Sequence, residues 1–138
     1  MMRIRIYQID HERDKNHVKF KSYENTLHYA GSVSPAIYDE VYTGEVDCNN
    51  LEDLFDLFNH KQPLTYRGHS LSVSDICEVA DSGSVEDGCY FCDSIGYIKI
   101  DFDISKTHKP DDLLRVVMVE PNKMPYIAEI ENKLEALQ

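Results

Sequence analysis

Between residues 69 and 75 the chain gathers the side-chain types that acyl-transfer chemistry uses: His69 as base, Ser70, Ser72 and Ser74 as nucleophiles, and Asp75 as orienter. Such groups work in space, on a strained nucleophile turn beside an oxyanion hole, and the pattern G-x-S-x-G that marks such a turn is absent. The competing reading is structural. Ser72 and Asp75 have the S-x-x-D spacing of a capping turn, and the remaining serines then face solvent or a partner. Cys89-x-x-Cys92 is the second chemical pair. A structural zinc site needs four converging ligands, whereas Cys48 and Cys77 are isolated and no His pair accompanies them. Residues three apart on a strand also point to opposite faces, which favours small buried thiols over a shared metal. A redox role would want the pair at a helix start near a βαβ unit, and that context is missing. The acidic pairs Asp39-Glu40, Glu52-Asp53, Glu86-Asp87 and Asp111-Asp112 lack the spacing, glycine and terminal Glu of a calcium loop, so a solvated acidic face is the simpler account. Nine tyrosines, Tyr38, Tyr42, Tyr66, Tyr90 and Tyr97 among them, are expected to divide between core and surface.

Charge narrows the choice of partner. The 138 residues carry a formal net charge of −11 with 42% apolar residues, so the acidity belongs to a folded surface and not to a disordered tail. Residues 24–93 contain fourteen acidic side chains and two basic ones, Lys61 and Arg67. The first twenty-one residues hold six basic groups against three acidic ones. Phosphate-backbone binding needs clustered Lys and Arg, so the acidic middle is a poor nucleic-acid surface and only the N-terminal segment is suited to it. No apolar run approaches a membrane span and no secretory h-region is visible, which predicts a cytoplasmic protein with reduced thiols.

Positioning these groups requires an α+β fold: a mostly antiparallel sheet with one main helix packed on it, followed by a C-terminal β-hairpin and short helix. Ile4, Ile6 and Ile9 alternate with polar residues and predict a first strand; 17–21, with Val18 and Phe20, predicts a second strand paired with it. A strand is expected over 39–46. Asn50 caps a helix over 50–59 whose stripe is Leu51, Leu54, Phe55 and Phe58. Strands over 76–80, 89–93 and 97–102 form a meander, with Ser94-Ile95-Gly96 as its tight turn. Residues 1–104 then make the main domain and 105–112 a linker. An appendage over 113–138 follows, which stops inside its last helix as though a second unit were truncated.

Leu51-Glu52-Asp53-Leu54-Phe55, Phe58-Asn59, Pro63, the run GHSLSVSDIC from Gly68 to Cys77, and Tyr90-Phe91-Cys92-Asp93-Ser94-Ile95-Gly96-Tyr97 together resemble the YodL-like domain family. The tail LRVVMVEPNKMPYIAEIENKLEALQ resembles the opening of another uncharacterised family from the same kind of proteins. The resemblance implies a context, the large multidomain "polyvalent" proteins of conjugative elements and phages, beside domains thought to protect incoming DNA from host defences. It brings no agreed catalytic residues.

The expectation is therefore a non-catalytic, acidic protein-interaction domain that binds a host or element-encoded protein and counteracts host defence, DNA mimicry being one version. Candidate interaction residues are His69, Ser70, Ser72, Ser74, Asp75, Asp93 and Tyr97. Neither metal nor organic cofactor is implied, direct nucleic-acid binding and membrane insertion are disfavoured, and oligomeric state is open. Two other readings stand beside it: an enzyme of unknown chemistry built on His69, the serines and Asp75, and a structural or targeting module of a longer polypeptide.

Overall fold

The computed structural model describes residues 1–109, within which Met1–His108 forms one compact unit. The hairpin and helix expected over 113–138, and the end of the expected linker, lie outside the described residues. Five antiparallel strands make a single sheet: β1 (Met2–Ile9), β2 (Tyr38–Val46), β3 (Ile76–Ala80), β4 (Gly88–Cys92) and β5 (Tyr97–Ile100), in the order β2-β1-β3-β4-β5. Two helices accompany it, α1 (Tyr23–Ala30) and α2 (Leu51–His60). The architecture is α+β, and β3-β4-β5 is the meander that the alternation predicted.

Alternation in β1 sorts its side chains onto two cores. Met2, Ile4 and Ile6 face a cluster with Val46, Leu54, Phe58, Leu71, Cys77 and Val79, so this face lies under α2. Tyr7 and Ile9 face a second cluster with Val18, Tyr38, Ile76, Cys89 and Phe91. The register of β2 against β1 shifts between Ile6 and Tyr7, where Ile6 opposes Tyr42 and Tyr7 opposes Glu40. The bulge leaves Val41 as the extra residue, so consecutive Val41 and Tyr42 both pack toward α2. Arg3 and Arg5 escape burial at the open end of the strand, pairing with Asp81 at 2.9 Å and Glu78 at 3.6 Å.

The α2 helix forms where its pattern places it. Asn50 accepts the Asp53 amide at 2.7 Å, and Glu52 and Asp53 occupy the electropositive first turn. Leu54 and Phe58, one turn apart, are fully buried.

Residues 17–21 are not a strand. His17 and Phe20 have φ of 55° and 68°, outside the extended region, and the Val18 and Lys19 amides donate to the Asp14 carboxylate at 2.9 Å each. Both neighbours of β1 are supplied from elsewhere, so the segment has no ladder to join. Val18 is buried while Phe20 is 55% exposed. An additional helix not expected from the sequence pattern is α1, which Ser22 caps and Gly31 ends in the left-handed region (φ 82°). Its amphipathicity is faint: Tyr23 and Ala30 reach the second core while Leu27 and Tyr29 stay exposed. The polar run after Phe102 begins with a 3-10 turn, Ile104–Lys106, and continues to His108, which pairs with the β2 edge through Glu40 N–H to His108 O and His108 N–H to Tyr38 O. No helix among the described residues is long and apolar enough to cross a membrane.

Candidate functional site

The sixth and eighth positions of the chain show why this sheet carries a polar centre. Gln8 continues the face of Ile4 and Ile6 yet is polar, and it is 4% exposed. Its amide nitrogen meets Tyr66 Oη at 2.9 Å, the His69 carbonyl at 2.9 Å and Asp75 Oδ2 at 3.0 Å, while its oxygen accepts the His69 amide at 3.1 Å. Tyr66 also donates to the His69 carbonyl. Gly68 makes this approach geometrically attainable: a β-carbon there would lie 2.9 Å from Gln8 Cδ and 3.0 Å from Val41 Cγ2.

Asp75 anchors the following turn. Its Oδ2 accepts the Ser72 amide at 2.7 Å, and its own amide donates to the Ser72 carbonyl at 3.1 Å. The S-x-x-D spacing is thus a turn in which the aspartate, and not the serine hydroxyl, makes the side-chain bond. Ser72 Oγ donates instead to the Ser70 carbonyl at 2.8 Å. Ser74, at φ 83° and buried, accepts the Phe20 amide on Oγ at 3.0 Å and takes the Tyr38 hydroxyl on its carbonyl at 2.7 Å. These bonds fix a non-glycine residue in the left-handed region.

His69 Nδ1 lies 2.7 Å from the Ser70 carbonyl, so this nitrogen carries the proton and Nε2 presents a lone pair. That Nε2 is buried without a hydrogen-bond partner and lies 4.0 Å from Asp75 Oδ1. Burial lowers the His69 pKa and pushes the Asp75 acid well above the usual carboxylate range, the Ser72 and Gln8 bonds opposing the latter in part. Base and orienter types meet here; Ser72 and Ser74 have their hydroxyls on backbone groups, and Ser70 is exposed.

A cavity of about 590 Å³ opens on the other side of this turn, between α2, residues 71–73 and the β4–β5 turn. Ser72, Asp93 and Tyr97 line it, joined by Glu52, Phe55 and Leu71, none of which the sequence marks as an interaction residue. Asp93 holds the turn together: Oδ1 accepts the Ser94 amide at 2.8 Å and the Tyr23 amide at the head of α1 at 3.0 Å, and its own amide donates to the Gly96 carbonyl at 2.9 Å. Gly96, at φ 73°, supplies the left-handed residue that the turn needs. Tyr97 Oη is buried without a hydrogen-bond partner among the described residues.

The thiols have little exposure, although Cys92 also lines the cavity. All four cysteines are free and buried, and Cys77 and Cys89 belong to the opposite cores. Burial raises Cys89 to about 11 and Cys92 to about 12. No group of three or more His, Cys, Asp or Glu among the described residues is placed to hold a metal ion.

Gln8 and Tyr66 were missed by reasoning from motifs. The signal was present for Gln8, a polar residue where the β1 alternation calls for an apolar one. Tyr66 gave no such sign, because only the fold brings it 58 residues along the chain to Gln8.

No curated protein and no solved structure matches the chain. The family model of the YodL-like domain matches residues 3–102, from the start of β1 to just beyond β5. This span contains Gln8, the 66–75 segment that packs on it, and the Asp93–Gly96 turn, and on that match the chain belongs to the YodL-like domain family.

Proposed function

We propose that this domain is a non-catalytic, acidic protein-interaction module of a conjugative element or phage, and that it engages a basic surface on a host or element-encoded protein. Counteracting host defence is the purpose this reading assigns to it, with carboxylates standing in for DNA phosphates as one version. The observation that carries the proposal is the run of exposed carboxylates leading from the end of β2 into α2: Glu45, Asp47, Glu52, Asp53 and Asp56. Carboxylates on one rigid helix and the strand end before it form a fixed pattern that can steer a basic partner. The engagement of Ser72 and Ser74 with backbone groups supports a non-catalytic role, since neither hydroxyl is presented to His69.

Affinity capture from host lysate tests this at about 50 mM and about 500 mM salt, with mass spectrometry of the retained proteins. Basic DNA-binding proteins should be retained at low salt, released at high salt, and lost from a variant carrying Glu45→Lys, Asp47→Lys and Asp53→Lys. Recovery of no basic protein, or an unchanged set with the charge-reversed variant, would refute the proposal.

A further inference from the structure

Resting on that reading, we infer that the cavity between α2 and the β4–β5 turn is the domain's contact point, and that it takes an apolar side chain flanked by Lys or Arg on the partner protein. The floor is apolar: Leu71, Val73, Cys92 and Tyr97 line it, and Phe55 on α2 remains 43% exposed at its edge. Ile95, in the turn on the opposite side, is 91% exposed. Its volume of about 590 Å³ is in the range of preformed ligand pockets.

Charge decides what can occupy it. Glu52 and Asp93 line the cavity, and no Lys, Arg or His is among its lining residues. Both hydrogen bonds that Asp93 accepts among the described residues go to Oδ1, which leaves Oδ2 for an incoming donor. A neutral apolar group alone would strip water from these carboxylates without replacing it, and an anion would be repelled. An apolar group with a neighbouring cation fills the floor and satisfies the rim. The walls are also built in advance. The Asp93–Gly96 turn and the Ser72–Asp75 turn are each closed by backbone hydrogen bonds, so little ordering is required on binding.

The test uses the full chain, labelled with nitrogen-15, and three capped tripeptides as probes: acetyl-Lys-Leu-Lys-amide, acetyl-Lys-Ala-Lys-amide and acetyl-Glu-Leu-Glu-amide. The first should shift the amide signals of Val73, Ser94, Gly96 and Tyr97, with affinity at least about tenfold above the other two. Glu52→Lys and Phe55→Ala, both at exposed positions of α2, should each weaken it by about threefold to tenfold while leaving the spectrum of the free protein otherwise intact. Equal binding of all three probes, shifts confined to other surfaces, or insensitivity to both variants would overturn the inference. So would signals from these residues that move with protein concentration alone, because a second copy would then be the occupant. If the probes fail while lysate capture persists and ignores Glu52→Lys and Phe55→Ala, the cavity assignment falls and the interaction-module reading survives; if capture fails too, both fall.

Discussion

Replacing Asp75 by Ala and by Asn separates its two roles, acceptor and buried acid. The alanine variant leaves the Ser72 amide without its 2.7 Å acceptor, whereas Gln8 retains Tyr66 Oη and the His69 carbonyl as alternatives. One orphaned amide plus the space left by the carboxyl group should cost about 2–4 kcal/mol. Asparagine keeps an oxygen for Ser72 and Gln8, and its amide group then faces the unpartnered His69 Nε2, so its cost should stay within about 1 kcal/mol near neutral pH. The pH dependence gives an independent check. Because burial raises the Asp75 pKa in the folded state, the native protein holds a proton that the unfolded chain releases above about pH 4. This contribution to stability is complete below about pH 4 and is lost as pH rises through the folded pKa. His69 runs the other way: its lowered pKa contributes stability present above about pH 6.5 and lost as pH falls through the folded value. Urea unfolding followed by circular dichroism should therefore show that Asp75→Asn loses less stability than the parent between about pH 5 and pH 8. If Asn costs as much as Ala, or the parent's pH slope persists in the Asn variant, the assignment of Asp75 as a buried acid serving as turn acceptor is refuted.

Gly68→Ala should destabilise the domain by about 2 kcal/mol or more, by driving a β-carbon into the Gln8 side chain, and pairing it with Gln8→Ala should recover part of the loss in the same unfolding assay. Leu54→Ala and Phe58→Ala, which empty the buried stripe of α2, should cost about 2–5 kcal/mol each; a loss below about 1 kcal/mol would mean that this helix is not seated as described. Cys48, Cys77 and Cys89, which line no described cavity, should react with a disulfide reagent at about pH 8 only as fast as the domain opens, because burial both shields them and disfavours the thiolate. Rapid labelling of Cys77 or Cys89 under native conditions would contradict their placement.

Local pattern determined much of this protein by itself. The alternation in β1, the cap and stripe of α2, and the Ser94-Ile95-Gly96 turn are legible because each is a short-range rule that the residues obey in place. Where local and long-range demands disagree, the sequence misleads. Val18 and Phe20 alternate like a strand, but the Asp14 carboxylate captures the local amides and Phe20 turns outward. The α1 helix stays hidden because its hold on the core comes from Tyr23 and Ala30 and from the Asp93 bond at its head, 70 residues distant in the chain. The same holds for the site. His69, Ser72, Asp75, Asp93 and Tyr97 stand out by residue type, yet pairing β1 with β3 is what sets Gln8 beside Asp75 and ties both into one hydrogen-bonded network with Tyr66 and His69. Closing α2 over the sheet is what leaves Ser72, Asp93 and Tyr97 around one cavity with Glu52 and Phe55. Composition supplied the charge, and the tertiary structure decided where it faces, because only packing determines which carboxylates are spent inside and which remain exposed.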